Sequence, residues 1–101
     1  MFDLFGKLNE LKERTAEVKE RLAQQSVIGE AGNGKIRVEM SGLRTVNDIT
    51  VDENWLQQVD HDELQDLLVI AVNRALEHAK NMDDTEMRSV AGGLLPPGMS
   101  L

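Results

Sequence analysis

Of the residues able to do chemistry, the first to stand out is Gly29-Glu30-Ala31-Gly32-Asn33-Gly34-Lys35, whose spacing approaches that of a phosphate-cradling loop. In such a loop glycine amides wrap phosphates, a lysine reaches the terminal ones, and a following Ser or Thr holds magnesium. Here Ile36 stands in the magnesium position and a strand pattern follows, so no helix dipole faces a phosphate. Asp60-His61-Asp62 has the residue types of a metal cluster, but adjacent residues do not converge on one ion, and helix capping accounts for both aspartates. There is no cysteine, so thiolate metal sites, disulfides and a cysteine nucleophile are excluded. Ser26, Ser41, Ser89 and Ser100 lack a nucleophile-elbow context, and no carboxylate pair is set apart by apolar neighbours for acid–base work. The expectation is a protein without catalytic residues, metal or cofactor.

What remains is charge. The 101 residues carry 11 Lys+Arg against 18 Asp+Glu, a net charge of -7. Met1 to Arg44 holds 8 of the basic and 7 of the acidic residues; the rest of the chain holds 3 and 11. An acidic chain binds nucleic acid only where its basic residues gather on one face. The apolar runs are far shorter than the roughly 20 residues of a membrane span, and the expectation is a soluble, cytoplasmic protein with no membrane partner.

The elements that must position these charges can be read from periodicity. Leu4, Leu8, Leu11, Thr15, Val18 and Leu22 follow a four-three-four-three spacing, a heptad seam on a helix covering residues 1–25. Leu4, Leu8, Leu11, Val18 and Leu22 are its core or dimer contacts. Lys7, Arg14 and Arg21 flank the seam at g positions, Lys12 and Lys19 at e positions. Like-charged flanks repel in a simple two-stranded homodimeric coiled coil, so the seam should pack on another part of the fold or in a larger bundle. A rod of about 30 Å also exceeds what so small a domain can cover, and part of it should reach a partner or stand clear. The alternative role of the basic residues is pairing along the helix, as Glu10 with Arg14 and Glu17 with Arg21.

Residues 26–51 read as an antiparallel sheet. Asn33-Gly34 supplies a tight turn, and Lys35 to Met40 alternates, with Ile36, Val38 and Met40 facing the core and Lys35, Arg37 and Glu39 facing solvent. Ser41-Gly42 marks a second turn, and a third strand, Thr45 to Val51, directs Ile49 and Val51 to the core. Trp55 reads as a lid on the sheet edge, against the alternative of base stacking. A second helix spans 60–82, with Asp60 and Glu63 as a capping box and Leu64, Leu67, Leu68, Ala71, Ala75, Ala79 and Met82 as its apolar stripe. Residues 83–101 form an acidic, then Gly/Pro-rich tail. Met82, Met87, Met99 and Leu94-Leu95 either offer a protein partner an adaptable surface or fold back on the core. The fold class is α+β: one domain, residues 1–101, with an α-β-β-β-α protomer, a three-stranded antiparallel meander and two long helices.

These features together resemble the YbaB/EbfC family of bacterial nucleoid-associated proteins. The resemblance runs from Phe5-Gly6-Lys7 and the charged helix through Gly29-Glu30-Ala31-Gly32-x-Gly34 and the Val-Asp after the third strand. It continues in Leu64-x-Asp66-Leu67-Leu68-x-x-Ala71-x-Asn73-x-Ala75 and ends in Gly92-Gly93-Leu94-Leu95-Pro96-Pro97-Gly98-Met99. It implies an intertwined homodimer, with helices projecting like tweezers, that binds double-stranded DNA with little sequence preference in the nucleoid. In this chain the role would fall to Lys7, Lys12, Arg14, Lys19 and Arg21, with Lys35, Arg37 and Arg44 as a second group. The alternative is an acidic dimeric adaptor that binds protein partners and has weak or no DNA binding.

Overall fold

The computed structural model describes residues 4–94. Helix α1 (Leu4–Gln24) leads into strands β1 (Ser26–Ala31), β2 (Ile36–Ser41) and β3 (Val46–Val51), then a single-turn helix α2 (Glu53–Leu56) and the long helix α3 (His61–Leu94). The strands form an antiparallel sheet in the order β1-β2-β3, the α+β meander expected from the sequence. Gly32, Asn33 and Gly34 all have positive φ, at 65°, 56° and 82°, which lets the chain reverse between Ala31 and Ile36; only glycine and asparagine tolerate that region readily.

The alternation read in β2 holds: Ile36, Val38 and Met40 are buried and join Ala31 in packing against Ala71, Ala75 and Ala79 of α3. Small residues every fourth position give α3 a flat face, and β1 answers with Gly29, where a Cβ would meet the Ala71 carbonyl oxygen at 2.2 Å. Helix and strand thus touch backbone to backbone. Two side chains fix the axis: Arg74 donates to the Glu30 carbonyl at 2.7 Å, and His78 Nδ1 bonds the Ile28 carbonyl at 2.8 Å. Bonding by α3 to these β1 carbonyls shields part of a strand edge that would otherwise be open to pairing.

Three expectations require correction. The second long helix does not stop at Met82 but continues to Leu94, through Gly92 and Gly93. Its last third is held by α1: Val18, Leu22 and Val90 form a second buried cluster with Met82 beside it. This tertiary support outweighs the glycines' low helix propensity. Next, Ile49 shares the core side of the sheet with its neighbour Val38 but is 45% exposed, because α3 lies over β1 and β2 and leaves β3 uncovered. Finally, Arg21 pairs not with Glu17 but with Glu86 of α3, at 2.9 Å. The strand boundary at Val46 rather than Thr45 is a one-residue difference. Trp55 is half-buried against the core cluster, as a lid is. Leu95 and Met99 of the tail lie outside the described residues.

The extents, 70 × 24 × 16 Å, and a radius of gyration of 19.1 Å far exceed the approximately 13 Å of a compact domain of this length. The length comes from α1 and the end of α3, which run antiparallel away from the sheet.

Candidate nucleic-acid interface

The projecting arm carries the sequence's densest basic feature. Of the seam residues, Val18 and Leu22 are buried against α3, while Leu4, Leu8 and Leu11 are 51%, 45% and 38% exposed. The base of α1 is therefore anchored and its N-terminal half stands clear. A second tie holds the base: the Gly42 amide donates to the Leu22 carbonyl at 2.9 Å, satisfying one of the carbonyls that a helix C-terminus leaves open.

Among the eight residues expected to meet DNA, the structure separates those already paired from those that are not. Arg14 binds Glu10 one turn earlier at 2.6 Å, Arg21 binds Glu86 at 2.9 Å, Arg44 binds Asp83 at 3.3 Å and Lys35 lies 3.7 Å from Asp52. Lys12, Lys19 and Arg37 are exposed and make no ion pair among the described residues. Lys7 is also exposed on α1. Lys12 and Lys19 are seven residues apart, about 10 Å along the same flank of the helix, and line a shallow surface with Leu11, Thr15 and Ala16.

The sheet residues do not gather with them. Arg44 does: it shares a groove with Lys19, Thr15, Leu22 and Asp83, between α1, the β2–β3 turn and α3. Its backbone has φ 66°, unusual for arginine. The turn that imposes this is organised by buried Ser41, whose Oγ accepts from the Leu43 and Thr45 amides at 3.2 Å each, while the Ser41 carbonyl accepts from the Arg44 amide at 2.9 Å. Lys35, by contrast, sits at the other end of β2. Arg37 lies on the sheet's outer face, beside Glu39, Asp48 and Thr50, where two acids offset it.

Sequence reasoning missed the acids that matter most, Asp83 and Glu86, because the segment after Met82 reads as a tail. The eight-residue spacing from Met82 to Val90, which continues the α3 stripe, is the signal that could have revealed it. Asp52, directly after β3, caps α2, accepting from the Trp55 amide at 2.9 Å. That bond, with Lys35 nearby, holds its carboxyl pKa below the usual value. Asp60, His61 and Asp62 do not converge: among the described residues no group of three or more such side chains is arranged for a metal ion. Among those residues no helix is long and apolar enough to cross a membrane.

One further surface is apolar. Ile49 of β3 meets Leu68, Val69 and Val72 of α3 around an open depression, with Val69 60% exposed. Exposed aliphatic patches of this kind are found where proteins associate.

Comparison with known proteins agrees with this architecture. A solved structure of an uncharacterised protein from Helicobacter pylori, HP0035, superposes with a TM-score of 0.70 at 20% identity, covering 95% of this chain and 100% of that one. This likeness supports the fold. The family model of the YbaB/EbfC DNA-binding family matches residues 1–94, including both projecting helices and the whole sheet. The chain belongs to the YbaB/EbfC DNA-binding family.

Proposed function

We propose that this protein is a nucleoid-associated, non-enzymatic DNA-binding protein that acts in the cytoplasm as a homodimer and engages duplex DNA with little sequence preference. The observation that carries the reading is the exposed row of Lys12 and Lys19 on an arm held clear of the sheet, with Lys7 on the same arm. Lysines on a helix surface neutralise phosphates, and phosphate contacts position a protein without reading sequence. The second copy covers the Ile49, Leu68, Val69 and Val72 face, so each dimer presents two basic arms. An elongated protomer with an aliphatic face left open supports self-association.

The acidic-adaptor reading draws on one observation, that Arg21 and Arg44 are already paired with acids. The two readings separate in a mobility-shift assay of unrelated duplexes at rising salt. Binding indifferent to sequence and steeply weakened by salt supports the DNA reading; no complex at low salt supports the adaptor.

A further inference from the structure

We infer that Asp83 and Glu86 act as internal stand-ins for DNA phosphate, holding two arginines of the DNA-binding surface and thereby limiting its affinity; this rests on the DNA-binding reading above. Both acids project from the last third of α3, a segment whose apolar side, Met82 and Val90, packs against Leu22 and Val18 of α1. That packing fixes the acids in front of their partners. Glu86 Oε2 accepts from Arg21 at 2.9 Å and Asp83 Oδ2 from Arg44 at 3.3 Å. A carboxylate oxygen at this distance occupies the guanidinium donors that a phosphate oxygen would use. The other end of each pair is still open to solvent, with Arg21 and Arg44 side chains 55% and 45% exposed, so a phosphate can reach both cations once the acids let go.

The arrangement reaches beyond a chance surface pairing because it draws together three parts of the fold, α1, the β2–β3 turn and the end of α3. Arg44 is aimed by the strained turn that buried Ser41 organises, and Lys19 lines the same groove as Arg44 and Asp83. Without Asp83, that groove would present Lys19 and Arg44 side by side with no acid among its lining residues. Each exposed pair alone is weak, below about a fivefold effect on an equilibrium. Acting together on a site whose affinity comes from a few phosphate contacts, they set the concentration and salt range in which the protein coats DNA. DNA binding and release of α3's acids then compete for the same two side chains.

The test is an anisotropy titration of a labelled duplex of about 30 base pairs at 50 and 200 mM salt, either side of the roughly 0.1 M at which the Debye length is about 10 Å. It compares wild type, the Asp83→Asn/Glu86→Gln variant, and an Asp84→Asn/Glu77→Gln control that removes the same charge from exposed acids of α3 making no ion pair among the described residues. The first variant should bind roughly three- to tenfold more tightly than wild type. Its log affinity should also fall more steeply with log salt, by about one further phosphate contact per freed arginine. The control should stay within about twofold of wild type. In an Arg21→Gln/Arg44→Gln background, neutralising Asp83 and Glu86 should give no gain beyond that of the control, which keeps the test valid should the first variant loosen the helix pair. Wild-type binding with no gain in the first variant, or an equal gain in the control, overturns the inference and leaves the DNA reading standing. No binding by any of these proteins at 50 mM salt overturns both.

Discussion

Gly29 and Ala75 meet so closely that a Cβ placed on Gly29 would lie 2.9 Å from the Ala75 Cβ and 2.4 Å from the Ala75 backbone nitrogen. The sheet and α3 are joined at this point by the absence of side chains. The neighbouring bonds from Arg74 and His78 to β1 hold the helix at that distance, so it cannot back away without losing them.

Gly29→Ala should therefore overpack the contact and destabilise the fold by about 1–3 kcal/mol or more. Thermal unfolding at fixed protein concentration checks this. A loss of each 1 kcal/mol corresponds to a fall in Tm of roughly 4–8 °C for a domain of this size. An unchanged Tm would mean that α3 is not seated as described.

The second cluster is separate from the first, and its loss should be local. Leu22→Ala removes a buried side chain that is 1% exposed and should cost about 2–5 kcal/mol of the α1–α3 packing. Hydrogen exchange should quicken in α1 and in α3 beyond Met82, while β2 amides under Ala71 and Ala75 keep their protection. Uniform loss of protection would contradict two independent clusters.

The proposed homodimer should depend on the uncovered strand. Ile49→Glu introduces a charge into the face shared with Leu68, Val69 and Val72, at a position already 45% exposed. Sedimentation equilibrium should find a shift to monomer with helix content retained. A dimer of undiminished stability would move the interface elsewhere on the chain.

Asp52 gives a pH dependence whose sign is fixed. The Trp55 amide and then Lys35 stabilise its charged form, so its folded pKa lies below the ordinary value of 3.8. A depressed carboxylate pKa contributes stability that is fully present above the unfolded value and is lost as pH falls through the folded one. Acid unfolding of Asp52→Asn should therefore show a flatter dependence below pH ~4 than wild type, measured by circular dichroism. Identical slopes would dismiss the cap as a contributor.

Much of this architecture is legible in the sequence because it is local. Lys35 to Met40 alternates since one side of β2 meets a helix and the other meets water, and Gly32-Asn33-Gly34 reverses the chain by its own backbone preference. The end of α3 is not legible in that way. Asp83, Asp84, Gly92 and Gly93 look like a helix terminus, and what overrides them is Val18, Arg21, Leu22 and Arg44, far away in sequence. Ile49 shows the same limit from the other side: alternation tells which way a residue points, not whether a helix is broad enough to cover it. For the candidate site, charge and heptad position indicate the basic arm, but pairing decides which cations are available. That divides Lys12 and Lys19 from Arg21 and Arg44, whose partners lie on α3.

DNA binding by α1 is tested by a fluorescence-anisotropy titration of a labelled duplex of about 30 base pairs with wild type and with Lys12→Glu/Lys19→Glu. These two lysines are exposed on α1 and lie outside both buried clusters, so the variant should keep its fold and its mass in solution. Wild type should bind at 50 mM salt, weaken markedly by 200 mM and ignore sequence. The variant should lose about tenfold or more in affinity, with a shallower salt dependence by about two phosphate contacts. Equal binding by the two proteins would contradict the assignment of α1 as the DNA-binding arm.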